Sequence, residues 1–260
     1  MKLKFHNTYL FYTVTGKGPA IVLLHGFLES ASMWKKLVPE LSKKHMIIVI
    51  DLPGHGKSGV VGEMHTMELM AQAVHAVVKH LDLPTIALMG HSMGGYVALA
   101  YTELFPSEVE GLILLNSTPA EDSLERKANR DRALTMLQKT PNVFIRMAIT
   151  NLFAEEDRTQ YASAIEQLKE EALQFPLAGI TAAVKGMRDR KDRTSVLRQF
   201  SGSKYMICGT KDPIVPLTIS EILAKHCHTD LIKIVGGHLL LTENYDETVK
   251  KMRFIDFLCI

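Results

Sequence analysis

Short apolar runs recur along the chain, and several of them are continuous instead of alternating with polar residues. They cover residues 9–14, 20–24, 46–50, 85–89, 109–115, 205–208 and 231–235. Each run is about as long as a strand, and a continuous apolar run is typical of a strand buried on both faces. The pattern therefore predicts a mostly parallel sheet covered by helices. Only a short polar link separates Phe5 from Tyr9, so we expect the first strands to pair in antiparallel fashion.

Between the later runs, apolar residues recur at spacings of three and four, which is the period of an amphipathic helix. Such stripes occupy residues 70–81, 97–104, 219–225 and 248–258. Pro84 and Pro106 follow the first two stripes and favour helix ends there. The alternation of strands and helices predicts right-handed crossovers and an open α/β sheet.

One stretch breaks this alternation. From about residue 119 to residue 188 there is no β-branched run, charged residues are dense, and apolar residues fall at roughly helical spacings. We interpret it as a block of several helices inserted between two strands. A simpler alternative is that the block extends one face of the sheet, but its length favours a separate cap. We therefore predict a core of residues 1–117 and 190–260 and a helical cap of residues 118–189.

Composition excludes several classes of protein. The chain has 260 residues, of which 47% are hydrophobic and 22% are charged, as in an ordinary globular protein. Lys and Arg number 30 and Asp and Glu number 28, which gives a net charge of +2. This balance is too close to neutral for a nucleic-acid-binding or membrane-surface protein. It fits a small uncharged substrate better than a polymeric anion.

The terminus and the cysteines indicate a cytoplasmic location. No apolar segment follows Lys2 and Lys4 as in a signal peptide, and the longest apolar runs are far shorter than a membrane span. Cys208, Cys227 and Cys259 show no metal-binding spacing and are odd in number. We expect them to be free thiols in a reducing compartment.

The strongest chemical signal is the segment Gly90-His91-Ser92-Met93-Gly94, which another glycine follows. It lies between the apolar run of residues 85–89 and the helical stripe of residues 97–104. A serine on a sharp strand-to-helix turn is exposed at the carboxyl end of the sheet, and the N-terminus of the helix points at it. The pattern therefore predicts that Ser92 is a nucleophile.

A serine nucleophile needs a base, and the base needs an orienting carboxylate. Asp212 follows the run of residues 205–208, and His238 follows the run of residues 231–235. Both are therefore expected at the sheet edge where Ser92 lies, with Asp212 as the acid and His238 as the base.

Eleven histidines compete for the role of base, and His238 is chosen because it follows a strand end after Asp212. His91 adjoins Ser92, and we expect its side chain to point away from the serine. Five others belong to helical segments or a helix end and are expected to be wholly or partly exposed: His65, His75, His80, His226 and His228.

Acyl transfer also needs donors that stabilise an oxyanion. The backbone N–H of Met93, directly after the serine, is one candidate. The second is the backbone N–H of Phe27, in the loop that follows the run of residues 20–24. We expect His25, in the same loop, to have a structural role.

One motif is misleading. Gly56-Lys57-Ser58 ends like a phosphate-binding loop, but that motif requires a glycine at position 51, where the chain has Asp51. We therefore interpret residues 53–58 as a glycine-rich turn. The sequence also contains no metal-binding constellation such as HExxH. We expect neither a metal nor another cofactor.

Taken together, these segments resemble the α/β-hydrolase superfamily over nearly the whole chain. The matching segments are residues 25–27, 51–58, 90–95, 209–212 and 237–238, in the family's order. The resemblance implies an α/β-hydrolase fold with a helical cap. It also implies a nucleophile at Ser92, an acid at Asp212 and a base at His238.

Two features refine the resemblance. Many relatives have Glu-x-Pro shortly after the histidine, whereas this chain reads Glu243-Asn244-Tyr245. We expect a local change in the following turn and no loss of the triad's chemistry. The nucleophile is Ser92 rather than an aspartate, which argues against haloalkane dehalogenases and epoxide hydrolases.

We therefore predict a serine hydrolase of the carboxylesterase type that acts on a small acyl substrate and water, as a monomer or a homodimer. Hydrolysis of a carbon–carbon bond, lactone opening, a lyase step and perhydrolysis remain open at the same site. So does a ligand receptor or signalling protein that turns over slowly. Apolar residues of the cap are candidates for the substrate pocket: Phe144, Met147, Leu152, Phe153 and Phe175.

Overall fold

The computed structural model describes residues 1–258, so Cys259 lies outside the described residues. At its centre is an eight-stranded sheet with the order β1-β2-β4-β3-β5-β6-β7-β8. The strands are β1 (Lys2–Phe5), β2 (Thr8–Thr15), β3 (Ala20–Leu24), β4 (Met46–Ile50), β5 (Ile86–His91), β6 (Val109–Leu115), β7 (Ser203–Gly209) and β8 (Asp230–Ile234). All seven predicted runs are strands, with ends shifted by at most two residues.

Strand directions agree with the hydrophobic pattern. β1 pairs with β2, and β2 with β4, in antiparallel fashion, whereas every other neighbouring pair is parallel. The continuous apolar runs are explained by burial on both faces. Val22 and Leu24 of β3 belong to one hydrophobic core, and Ile21 and Leu23 belong to the core on the other face.

Eleven helices of the described chain accompany the sheet. They are α1 (Val38–Leu41), α2 (Met67–His80), α3 (Met93–Leu104), α4 (Leu124–Lys139), α5 (Pro141–Thr150), α6 (Ala162–Ala172), α7 (Leu177–Arg188), α8 (Thr194–Gln199), α9 (Leu217–Cys227), α10 (Leu240–Glu243) and α11 (Tyr245–Met252). Three short 3₁₀ helices span Ala31–Trp34, Pro106–Glu108 and Glu155–Asp157. Helices α2, α3, α8 and α9 contribute to one core, and α1, α10 and α11 contribute to the other. The predicted mostly parallel sheet flanked by helices is confirmed.

Five helices, α4 to α8, lie between β6 and β7 in the chain, and α4 to α7 occupy the stretch where the sequence predicted a block of helices. Helix α4 packs against α5 and α7, and α5 packs against α6. The next helix, α8, instead packs against α3 and α9 of the sheet layers.

The structure corrects two predictions. The stripe of residues 248–258 was predicted to be helical throughout, but helix α11 ends at Met252 and a series of tight turns follows. In these turns Ile255 bonds back to Met252, and Leu258 bonds back to Ile255. Turns that repeat every three residues give the same apolar spacing as a helix. His65 was expected to be partly exposed in a helix, but it precedes α2 and is fully buried, with its Nε2 accepting from the backbone of Val61.

Two smaller predictions can also be compared with the structure. Cys208 and Cys227 are free, as expected, and both are buried. Burial raises the pKa of the Cys208 thiol to about 11. Within residues 1–258, the structure has no helix that is both long enough and apolar enough to cross a bilayer.

Candidate active site

Ser92 occupies a strained position between β5 and α3. Its backbone has φ 49° and ψ −113°, a region that residues with a Cβ rarely adopt. Backbone bonds hold it there, since Ser92 N donates to Leu115 O at 3.0 Å and the Ser117 hydroxyl donates to Ser92 O at 2.7 Å. The turn therefore has the geometry of a nucleophile elbow.

Two glycines allow this tight turn. A Cβ on Gly90 would collide with the backbone of Gly94 and Gly95. A Cβ on Gly94 would collide with the main chain of Leu24 and His25 at the end of β3. The spacing Gly-x-Ser-x-Gly therefore follows from the contact of the elbow with itself and with the neighbouring strand.

The structure brings Asp212 and His238 together. Nδ1 of His238 lies 2.9 Å from Oδ1 and 2.8 Å from Oδ2 of Asp212, and both residues are buried. Asp212 follows β7, and His238 follows β8, which is the predicted placement at the carboxyl end of the sheet. Nε2 of His238, the other ring nitrogen, is buried and has no hydrogen-bond partner among the described residues.

The surroundings of Asp212 favour its ionised form. Its Oδ1 accepts from the backbone N–H groups of Ile214 and Val215, and its Oδ2 accepts from the Asn116 amide at 2.8 Å. Burial alone would raise the pKa of this carboxyl, but His238 and the hydrogen bonds outweigh burial and leave the pKa lowered. Asp212 is therefore a fixed anion that orients the imidazole.

Ser92 and His238 line one cavity of about 780 Å³. The side chain of Phe27 is in the same wall, which puts the loop after β3 next to the serine. Met93 is the first residue of α3, so its backbone N–H is among those without a partner inside the helix. Both predicted oxyanion donors therefore belong to segments that border this cavity.

His25 ties the loop after β3 to the loop after β4. Its Nδ1 lies 2.7 Å from Gly26 O, and its Nε2 accepts from Leu52 N at 2.9 Å. Burial lowers the pKa of His25, which suits a neutral ring with one donor and one acceptor nitrogen. This geometry agrees with the expected structural role.

His91 and Glu29 form a buried pair beside the triad, which the sequence did not predict. Nδ1 of His91 lies 2.9 Å from Oε2 of Glu29, and Nε2 lies 2.9 Å from the main-chain oxygen of His238. Both partners are acceptors, so both ring nitrogens must carry protons. Burial would lower the pKa of His91, but Glu29 outweighs it and leaves the pKa raised. Since His91 also lines the cavity, it is a cationic part of the site wall.

Two further residues, Asn116 and Glu243, hold the loops that carry Asp212 and His238. The amide of Asn116, at the end of β6, bonds both Asp212 and the backbone of Gly237. Glu243 accepts from the backbone N–H groups of Gly237 and Leu239, on either side of His238. The sequence drew attention to Glu243 only as part of an altered motif, and it carried no signal for Asn116.

The predicted pocket residues divide into two groups. Phe144, Met147 and Leu152 line the cavity. Phe153 does not line it, because its ring is fully buried and packs against Tyr161. Phe175 contacts the ring of His55 and lines a second cavity of about 570 Å³ instead. The expectation that Phe153 faces the pocket is therefore wrong.

Four of the other histidines lie apart from this geometry. His226, His228 and His80 are exposed, as expected. His75 is partly exposed and lies 3.3 Å from a carboxylate oxygen of Glu108. None of these four lines the cavity that contains Ser92.

The chain is similar to known proteins over most of its length. The chain is 28% identical to a pimeloyl-[acyl-carrier protein] methyl ester esterase of Xylella fastidiosa over 237 residues, which cover 88% of this chain and 91% of that protein. It is 30% identical over 245 residues to the dihydrolipoyllysine-residue acetyltransferase component of an acetoin cleaving system from Pseudomonas putida. That match covers 90% of this chain but only 62% of the relative.

The fold also matches a solved structure closely. A thermophilic esterase from Thermogutta terrifontis with malate bound superimposes with a TM-score of 0.90 at 31% identity, over 97% of this chain and 96% of the other. The family model for the alpha/beta hydrolase fold matches residues 19–245. With the elbow, the acid–histidine pair and this match on nearly the whole chain, the protein belongs to the α/β-hydrolase family.

Proposed function

We propose that the protein is a serine hydrolase that cleaves a small carboxylic ester through an acyl-enzyme on Ser92. One observation supports this most directly. His238 is bonded through Nδ1 to Asp212, its Nε2 has no hydrogen-bond partner among the described residues, and His238 and Ser92 line the same cavity. A base oriented in this way next to a strained serine has the arrangement required for nucleophilic acyl transfer.

In the first half of the proposed reaction, Ser92 Oγ attacks the ester carbonyl carbon and His238 Nε2 takes the hydroxyl proton. Asp212 stabilises the imidazolium that forms. The backbone N–H groups of Phe27 and Met93 hold the negative charge on the carbonyl oxygen. The intermediate then collapses as His238 returns the proton to the leaving alcohol, which leaves the acyl group on Ser92.

In the second half, water replaces the alcohol. His238 takes a proton from the water as it attacks the acyl carbon, and the proton then returns to Ser92 Oγ as the carboxylic acid leaves. The cycle consumes one ester and one water and gives one acid and one alcohol.

The relatives favour an ester over the other bonds that the sequence left open. The X. fastidiosa protein and the T. terrifontis protein are both esterases, and each matches nearly all of this chain. The cavity agrees with a small acyl compound, since Phe144, Met147 and Leu152 give it an apolar wall. As substrate contacts, Phe144 and Met147 remain predictions.

We also propose that residues 118–189 form the cap of this site. Residues of α4, α5 and α7 line the cavity together with Ser92, which is what a cap above the carboxyl end of the sheet would do. The cytoplasmic location and the monomeric or homodimeric state stay predictions from the sequence.

The proposal is tested with Ser92→Ala. We expect turnover of 4-nitrophenyl acetate by the purified protein to fall at least about 10⁴-fold, because the nucleophile is lost. A fluorophosphonate probe should label the wild type but not this variant. Ser163→Ala, an exposed serine on α6, is the matched control and should retain both turnover and labelling. Unchanged turnover in Ser92→Ala would refute the assignment.

The rate of turnover separates an enzyme from a receptor with the same triad. Many cycles per active site across a panel of esters, counted against the fluorophosphonate titre, are expected. A single slow turnover that leaves Ser92 acylated would instead indicate a ligand receptor.

A further inference from the structure

The wall of the active-site cavity that α4 provides is positively charged. Arg126, Arg130 and Arg132 line the cavity there, and Glu125 is the carboxylate among the α4 residues of that wall. Asp122, just before α4, is the anion that pairs with Arg126 and Arg130 of this wall. It is buried, with Arg126, Arg130 and Arg190 within 3.3 Å of its oxygens.

These charges do not cancel. Burial would raise the pKa of Asp122, but Arg130 and Arg190 outweigh burial and leave the pKa lowered, so Asp122 is ionised. Its single negative charge faces three guanidinium groups, which are positive at every physiological pH. With Arg132 and Glu125 included, this group of side chains has four positive and two negative charges, and three of the positive charges line the cavity.

The arginines differ in how far their hydrogen bonds are already used. Arg190 is almost fully buried, bonds Asp122 and the carbonyls of Ala120 and Met187, and stacks on Tyr96. Arg130 donates to Asp122 through Nε at 3.1 Å, and its side chain is 20% exposed. The structure gives its two terminal nitrogens no hydrogen-bond partner among the described residues. These nitrogens form the planar pair that binds two oxygens of an anion.

Apolar residues make up much of the rest of the cavity wall. Ala133, Met136 and Met187 line the cavity beside the residues of α5 already described, and they offer no hydrogen bonds from their side chains. A ligand that reaches both Ser92 and α4 therefore needs an apolar middle section and a polar end. The wall at that end has an excess of fixed positive charge.

We propose that the substrate carries an anionic group, a carboxylate or a phosphate, at the end remote from the scissile ester, and that Arg130 binds it. This inference rests on the proposed function, because it describes the substrate of the same site. The anion would complete the hydrogen bonds of Arg130 and balance the excess charge that Asp122 leaves. A neutral ester of the same shape would leave the excess positive charge unbalanced and would not form the same charged hydrogen bonds with Arg130.

The test compares matched ester pairs. The first set contains 4-nitrophenyl monoesters of dicarboxylic acids from adipic to sebacic acid, each beside the ester whose far carboxylate is a neutral amide. A second set carries the anion on the alcohol side, as butyrate esters of ω-hydroxy acids and their amides. A third replaces the carboxylate by a phosphonate and separates the two anion types. A guanidinium bond to an anion should raise kcat/KM by about 10- to 100-fold at one chain length.

Variants assign the preference to Arg130. Arg130→Gln should reduce the ratio of anionic to neutral kcat/KM by about 10-fold, and Arg130→Lys should restore part of it, since it keeps the charge but loses the planar pair. In both variants Asp122 keeps Arg126 and Arg190 as partners. Thermal unfolding checks that both variant proteins fold. Arg146→Gln on α5 is the control, because Arg146 bonds Glu166 and Glu170 and does not line the cavity. It should leave the ratio unchanged.

Direct binding separates failure of this inference from failure of the proposed function. The Ser92→Ala protein cannot form the acyl-enzyme, so calorimetry on it gives the affinity for each intact ester. Equal affinity and equal kcat/KM for anionic and neutral esters of every set, with neutral esters still turned over, would overturn the inference alone. If the wild type turned over no ester, the proposed function would fail, and the affinities would still decide whether the site selects an anion.

Discussion

At the scale of single residues, the site depends on contacts between segments that are distant in the chain. Asp212 and His238 are 26 residues apart, His91 and Glu29 are 62 apart, and Asn116 and Asp212 are 96 apart. The positions of Ser92, Asp212 and His238 were predictable because each follows a strand end in a recognisable motif. Glu29 and Asn116 carry no such motif, and their roles come only from the chain segments that the fold places beside them.

The His91–Glu29 pair has a direct link to His238, the proposed base. As a cation, His91 donates to the main-chain oxygen of His238 and so holds the loop that carries the base. Its pKa is raised by Glu29, so the cation persists above the usual range of histidine and is lost as the pH rises through that raised pKa. Glu29 is also ionised, because its own pKa is lowered by His91 in spite of burial.

We predict that Glu29→Gln moves the loss of activity at high pH to lower pH. Glutamine keeps an acceptor for Gly26 N but loses the charge, so His91 gives up its proton earlier and releases His238. We expect kcat for 4-nitrophenyl acetate to fall about 10-fold at pH 8, the size of one charge-assisted hydrogen bond. The measurement is a pH–rate profile of both proteins.

Glu108→Gln is the control for this experiment, because Glu108 also faces a histidine, His75, but lies outside the cavity. Its profile should match that of the wild type. Identical profiles for Glu29→Gln and the wild type would show that the charge on His91 does not matter for the site.

At the scale of elements, the sequence predicted most strands because parallel strands buried on both faces leave continuous apolar runs. The prediction failed where one spacing of apolar residues can arise from two different structures. The turns after α11 repeat every three residues and looked helical, and Phe153 has the apolar spacing of its helix neighbours but packs away from the cavity. The sequence shows that charged residues are dense before and along α4. It does not show which of the arginines line the cavity, because that depends on how α4 packs.

The junction between β3, β5 and α3 is a close backbone contact of the site. We predict that Gly94→Ala lowers the free energy of unfolding by about 1–3 kcal/mol, because the new Cβ collides with the backbone of Leu24 and His25. For a chain of this size this corresponds to roughly 2–4 °C per kcal/mol in Tm. Displacement of the elbow from the loop that carries Phe27 should also reduce kcat by at least about 10-fold.

Gly62→Ala provides a matched glycine control. Gly62 has φ 67° but nothing within 4 Å of the position of a Cβ, so the substitution costs only the backbone strain of about 1 kcal/mol. It should lower Tm slightly and leave kcat unchanged. Equal kcat in Gly94→Ala and the wild type would show that the elbow tolerates the displacement.

At the scale of the whole molecule, net charge was a poor guide to the site. The chain is close to neutral, yet the wall that α4 provides has an excess of positive charge because opposite charges are segregated along the fold. The near-neutral total favoured an uncharged substrate at the level of composition, whereas the placement of Arg126, Arg130 and Arg132 favours an anionic one. Composition gives only the total charge of the molecule, whereas recognition of a ligand depends on the electrostatic potential at the binding site.

The contact between α6 and the core gives a last prediction at this scale. Ser30 and Ser32, in the segment after β3, both donate to Glu171 at the end of α6, so one carboxylate ties the proposed cap to the core beside the loop that carries Phe27. Glu171→Ala should increase hydrogen exchange in α6 and lower stability by about 1 kcal/mol. The adjacent Glu170→Ala is the control, since Glu170 bonds only Arg146 of the cap in the described chain. Equal exchange in α6 for the two variants would mean that Glu171 does not hold the cap against the core.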